Sequence, residues 1–500
     1  MTLLKIQLLF WGLLFSFITG SVCVGNMMAI SPVFLDNQSG AEEDLQKLID
    51  QALKNGKKVV FLEKNKKYRL YNQLDIRCSI EGNGAILEPM TNASISIKIS
   101  EKDVTIKNLT ITGSKLKMIA IQNTGVVFEG CEIVGHNYGT LIQLEANNSS
   151  FVNCKLHNYY QKNIQYAIKN VGNNPIVAFN LIGCDIRGGI RFVNGNNRTS
   201  GGYRFERNTI TVDFSHATQS VKNQNDAIRL SGINDVYFDS NKFLFMNVNR
   251  GFKFTDYVSD EKNKKRSLRP TTDVFFANNT IIANSKNGKQ LFDLYDGTGK
   301  ITFTDNIIDA KGHTIIFEDK TTIPLNVNRE LILSRNRIKF DFRVLYYRGG
   351  NTPARLSVLD NEFIYSRKEI SFNTSRIGQE KSIELNHLFY ARELDEFLFK
   401  NNKLRSEAIK TPFFDSYVLN VLNVKMSEII NNEIEGALLF TGLEESQIKF
   451  TNNTILKTNF ANLIRITRHS RVKGGNSRII IKDNNVKESR NIVADFFNQK

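Results

Sequence analysis

VFFANNTI (274–281), ITFTDNII (301–308) and LILSRNRI (331–338) are copies of one phrase: an apolar strand, an asparagine, one further residue and an aliphatic. Related copies run from VVFEGCEI (126–133) through VYFDSNKF (236–243) and FLFKNNKL (397–404) to IIIKDNNV (479–486). Aligned two positions before the aliphatic, the series is Leu109, Cys131, Cys154, Cys184, Asn208, Asn241, Asn279, Asn306, Asn336, Asn361, Asn402, Asn432, Asn453 and Asn484. Members recur every ~21 to 41 residues, the period of a solenoid whose loops absorb the slack. One strand phrase per coil predicts an all-β parallel β-helix, each coil resting about 4.8 Å above the last. A column of inward asparagines then has a physical purpose. Each side-chain amide bonds the coils above and below, so no buried polar group is left unpaired.

Ahead of the repeats lies SGAEEDLQKLIDQALKNGKKVVFLEKNKKYRL (39–70). Leu45, Leu48, Ile49, Ala52 and Leu53 form one apolar stripe, Ser39 and Glu42 have capping-box spacing, and Asn55-Gly56 is a stop signal. A helix over 42–55 is predicted. The helix, first strand and asparagine column together resemble the right-handed parallel β-helix of the pectate-lyase superfamily. That resemblance implies a helix plugging the open end of the solenoid, and a single β-helix domain over 42–500.

Residues 1–21 carry Lys5, an apolar run and then Thr19-Gly20-Ser21, the pattern of a secretory signal peptide, followed by a linker over 22–41. A secreted, periplasmic or cell-surface location is expected. Gly20-Ser21-Val22 is a poor lipobox for Cys23, so no lipid anchor is expected, and no later stretch has the length of a membrane span. Cys131, Cys154 and Cys184 fall on the repeat position. With Cys78 they are expected to be buried free thiols, since stacked coils point Cβ atoms in parallel. No CxxC or HExxH spacing suggests zinc; no cofactor is predicted, and Ca2+ is the ion left open.

The charge is +16, from 66 Lys and Arg against 50 Asp and Glu, which favours an acidic partner. No nucleic-acid module is visible and no nucleic-acid partner is expected. An anionic polysaccharide, uronic or sulfated, fits charge, fold and export together, and a monomer is the expected state. The segments GTLIQLEA (139–146), YAIKNVG (166–172), GGIRFVNG (188–195), NDAIRLSG (225–232), RGFKFTD (250–256), LFDLYDG (291–297) and HTIIFED (313–319) read as the longest strand of successive coils. Alternation turns Ile142, Ile168, Ile190, Ile228, Phe252 and Ile315 inward. The opposite parity projects Gln143, Lys169, Arg191, Arg229, Lys253 and Asp293 outward, which puts a cation on four consecutive coils. Loops bearing His157, Tyr159 and Tyr160, then His216, then Arg266 flank the same coils.

A cationic groove suits β-elimination on a uronate. The reaction needs a cation on the carboxylate, a base at C5 and a proton donor for the leaving oxygen. Ile168-Lys169-Asn170-Val171-Gly172-Asn173 and Gly189-Ile190-Arg191-Phe192-Val193-Asn194-Gly195 resemble the paired Lys and Arg motifs of the chondroitinase B and alginate lyase family. Asn170 stands where that family has serine, Val193-Asn194 replace its Arg-His, and Arg191 comes two residues early. The resemblance implies Lys169 as base and Arg191 as its cationic partner. Tyr159 or Tyr160 would move the proton, with Arg229, Lys253, His157, His216 and Arg266 holding sugar. Asp226, Asp256 and Asp293 keep an inverting hydrolase open, and a non-catalytic glycan-binding solenoid is the third reading.

Overall fold

Each repeat phrase becomes one coil of three short strands, and the coils stack through parallel pairing. The computed structural model describes residues 44–495 apart from 91–93, 137–138, 160–165, 172–174, 195–199, 216–225, 256–269, 295–297, 320–326, 351, 367–387, 408–416, 442–445, 457–461, 468–477 and 487–490. The chain divides into two units, Met1–Ala41 and Glu42–Lys500, and every described residue belongs to the second.

Three faces result. Sheet A has 16 strands, beginning with Val59–Phe61 and including Val127–Glu129 and Ser149–Val152. Sheet B contains Glu132–Gly135, Lys155–Asn158 and Asp185–Arg187. Sheet C contains Thr140–Leu144, Tyr166–Asn170, Gly189–Val193, Asp226–Ser231 and Arg250–Thr255. Sheets B and C merge into one 30-stranded surface because Thr280–Asp293 and Ile307–Asp319 run through the corner between them. The fold is a parallel β-helix.

The asparagine column closes the corner between sheets A and B. Asn279 Nδ2 donates to Asn306 Oδ1 at 3.0 Å and to the Phe238 carbonyl at 2.8 Å, and the Asn279 amide donates to the same Oδ1 at 2.9 Å. Comparable bonds join Asn208 through Asn484. The residue before each column member is left-handed: Asn278 at φ 57°, Asp305 at 56°, Arg335 at 53° and Asn401 at 57°. Asn, Asp and Gly tolerate that conformation best. Cys131, Cys154 and Cys184 take the column position in the early coils as buried free thiols. Cys78 is also buried and free but sits elsewhere, just before the sheet A strand Ser79–Glu81; burial pushes its thiol up to about 11.

Phenylalanine fills the interior. Phe205, Phe238, Phe276 and Phe303 stack face to face at 4.5–4.6 Å under sheet A, and Phe252, Phe292 and Phe317 stack at 4.8–4.9 Å under sheet C. Ring separation matches coil separation, so each coil adds a full aromatic contact. The expectation that Ile315 points inward is corrected. Phe317 takes the place beside Phe292, and because Ile316 and Phe317 both enter the core, Ile315 is left opposite Gln290 and packs against Tyr346 and Tyr390.

The helix runs Leu45–Lys54 rather than 42–55. Asp44 caps it by accepting from the Gln46 amide at 3.0 Å, and the Ser39–Glu42 spacing lies outside the described residues. Leu45 and Ile49 are buried in the main core, with Leu48, Ala52 and Leu53 packed against it. Among the described residues no helix is long and apolar enough to cross a membrane.

Candidate functional site

Strand register alone assembles the row on sheet C. Gln143 stands opposite Lys169, Lys169 opposite Arg191, Arg191 opposite Arg229, Arg229 opposite Lys253, and Lys253 opposite Asp293. Beneath them Ile142, Ile168, Ile190, Ile228 and Phe252 are fully buried, which anchors each strand's parity. The four cations span about 14 Å at about 4.8 Å per coil. Among the described residues none of the four has an ion-pair partner. Arg229 Nε donates to Ser231 Oγ at 3.3 Å, and the Arg191 guanidinium lies 6.0 Å from the Tyr166 ring centre.

Crowding and burial alter these charges. Burial, and then the neighbouring Arg191 charge, hold Lys169 below the ordinary lysine range. Burial lowers Arg229 and Lys253 as well; around Lys253 the carboxylates of Asp226 and Asp293 oppose that shift. Past Lys253 the row changes sign to Asp293 and Glu318, and then becomes aromatic with Tyr346 stacked on Tyr390 at 4.7 Å.

Arg250, which sequence reading passed over, organises the acidic end. Its Nη1 lies 3.0 Å from Asp226 Oδ1 and its Nε 2.8 Å from Asp293 Oδ2. Both carboxylates are buried, and burial pushes Asp293 up to about 6. The available signal was alignment, since Arg250 occupies the Asp226 position one coil later. Tyr166, three residues before Lys169, was missed in the same way.

His157 and Tyr159 belong to sheet B, and among the described residues their contacts are with that sheet rather than with the row. His157 was expected to hold sugar, yet it is 1% exposed with both ring nitrogens engaged, Nε2 by Asp185 Oδ2 at 2.9 Å and Nδ1 by the Tyr159 hydroxyl at 2.8 Å. Tyr160, His216, Asp256 and Arg266 lie outside the described residues. No three His, Cys, Asp or Glu side chains among the described residues are grouped to hold a metal ion.

No protein-family model matches the chain, and no curated protein matches it. Among solved structures, it is similar to a mutant tailspike protein of E. coli bacteriophage HK620 in complex with a pentasaccharide. Identity is 12% over 89% of this chain and 78% of that one, with a TM-score of 0.42. It is also similar to the A-module of the Azotobacter vinelandii mannuronan C-5 epimerase AlgE6, at 10% identity over 90% and 94% of the two chains and a TM-score of 0.29. The PL6 family alginate lyase AlyGC matches at 10% identity over 88% and 98%, with a TM-score of 0.21. Likenesses of this size carry no argument about ligand or reaction.

Proposed function

We propose that this protein binds an acidic polysaccharide along the sheet C row and cleaves it by β-elimination at a uronate. The observation that carries the reading is the run of Lys169, Arg191, Arg229 and Lys253 on consecutive coils, with no carboxylate paired to any of them among the described residues. Like charges this close repel, and a polyanion relieves that repulsion. Lys169 is the base: its depressed pKa leaves more neutral amine at a given pH. Arg191 and Arg229 clamp the carboxylate and stabilise the enolate-like charge. Tyr166, beside Arg191, is the proton donor to the leaving oxygen. Export directed by residues 1–21 would bring the protein to such a polymer.

Hydrolysis is the second reading, favoured by Asp293, whose pKa burial raises to about 6, toward the range of a general acid. Against it, the Arg250 guanidinium fills the space between Asp226 and Asp293, where an inverting reaction needs its water and scissile bond. A panel of acidic and neutral polysaccharides separates the readings. Elimination generates unsaturated uronate ends that absorb in the ultraviolet. Reducing ends without that absorbance would replace elimination with hydrolysis, and binding with neither product would leave a glycan-binding solenoid.

A further inference from the structure

Sheet B carries a second constellation that the cationic row does not use. Lys155, His157 and Tyr159 alternate outward along one strand and its extension, which continues as the Tyr159 amide donates to the Gly135 carbonyl. Asp185 and Arg187 lie opposite Lys155 and His157 on the next coil. Asp185 can only accept, so His157 carries its proton on Nε2 and offers the Nδ1 lone pair to the Tyr159 hydroxyl. Burial holds His157 below the ordinary imidazole range, against the Asp185 charge and with Arg187 and Lys155, which keeps that lone pair free of a proton.

Asp185, neutral His157 and Tyr159 thus form a hydrogen-bonded chain ending in a phenol that is 38% exposed. The Arg187 guanidinium lies 5.6 Å from the Tyr159 ring centre, and the His136 ring stacks on it at 5.5 Å. Lys155 is taken up by Glu132 at 2.6 Å. Arg187 has no carboxylate partner among the described residues.

We propose that Asp185 and His157 make Tyr159 a proton-transfer group, serving an anionic sugar whose acid group is held by Arg187. The identity of that sugar rests on the acidic-glycan reading above; the relay itself does not. Asp185 and His157 act as positioning residues, and Tyr159 is the group that meets substrate.

An aryl sulfonyl fluoride tests the relay without any glycan. The Tyr159 oxygen bonds to sulfur, the S–F bond breaks with loss of fluoride, and the phenol proton passes to His157 Nδ1. Tyr71 and Tyr237, 46% and 37% exposed, are internal controls. Peptide mapping should show Tyr159 labelled about tenfold faster or more. The rate should fall as His157 takes up a proton, with a midpoint below the ordinary 6.5. His157→Gln should bring Tyr159 down to the control rate. So should Asp185→Asn, which alters a 47%-exposed carboxylate and leaves the buried ring in place. Equal labelling of the three tyrosines in the wild type, or an unchanged Tyr159 rate in Asp185→Asn, overturns the proposal. Failure of the glycan panel would leave this result untouched.

Discussion

Lys169 is the residue on which the proposed chemistry turns, and its environment makes a signed prediction. Lys169→Ala should lower elimination by a factor on the order of 10²–10⁴, the range for losing a general base, while glycan binding falls far less. Arg191 depresses the Lys169 pKa. Arg191→Gln should therefore raise it and move the rising limb of the rate profile, where Lys169 loses its proton, to higher pH, read from initial rates across pH. Two other buried groups set the pH dependence of stability, in opposite directions. His313 is held at about 4 by burial, below its ordinary 6.5. Its contribution is fully present above about pH 6.5 and is lost as pH falls toward about 4. Asp293, raised to about 6 from 3.8, contributes fully below its unfolded value, and that contribution is lost as pH rises through 6. His313→Phe should flatten the acid side of the melting-temperature profile, by differential scanning calorimetry. The parity of Lys169 and Arg191 was legible because strands alternate with period two. Arg250 was not, because it shares the parity of Phe252 and alternation assigns it to the core; only the corner at the strand's start turns it toward Asp226 and Asp293.

The corner between sheets A and B is the element that holds the coils in register. Asn306 Nδ2 donates to the Phe276 carbonyl and to Asn336 Oδ1, and its own Oδ1 accepts from Asn279. Asn306→Ala strands those buried partners and should destabilise the protein by about 2–4 kcal/mol in chemical denaturation. One residue earlier in each coil the backbone is left-handed. Ser240, at φ 56°, is a poor choice for that conformation. Ser240→Asn should stabilise by about 0.5–1 kcal/mol. The asparagine column was readable because its spacing from the following aliphatic is constant. The left-handed position was not, since Arg207, Ser240 and Arg335 interrupt its run of Asn, Asp and Gly. Ile315 was misread because it shares the parity of Phe317, yet Ile316 and Phe317 both enter the core, and no turn residue in HTIIFED announces that break in alternation.

At the scale of the molecule, stacking converts residues far apart in sequence into one charged line, bounded by Gln143 on one side and by Asp293 and Glu318 on the other. That line, more than the overall +16, is what a polyanion would meet. Its contacts lie at a surface, so salt should weaken them as the Debye length shrinks from about 10 Å at 0.1 M to about 3 Å at 1 M. The most direct test is equilibrium binding of uronate-rich and neutral polysaccharides over a salt series, for the wild type and for the Arg191→Gln/Arg229→Gln variant. The wild type should bind the uronate polymer in preference, with affinity falling steeply as salt rises. The variant should lose about tenfold or more at low salt and show a shallower slope. Equal binding of neutral polymer, or a variant with unchanged affinity and salt slope, would contradict the assignment of the row as the binding site.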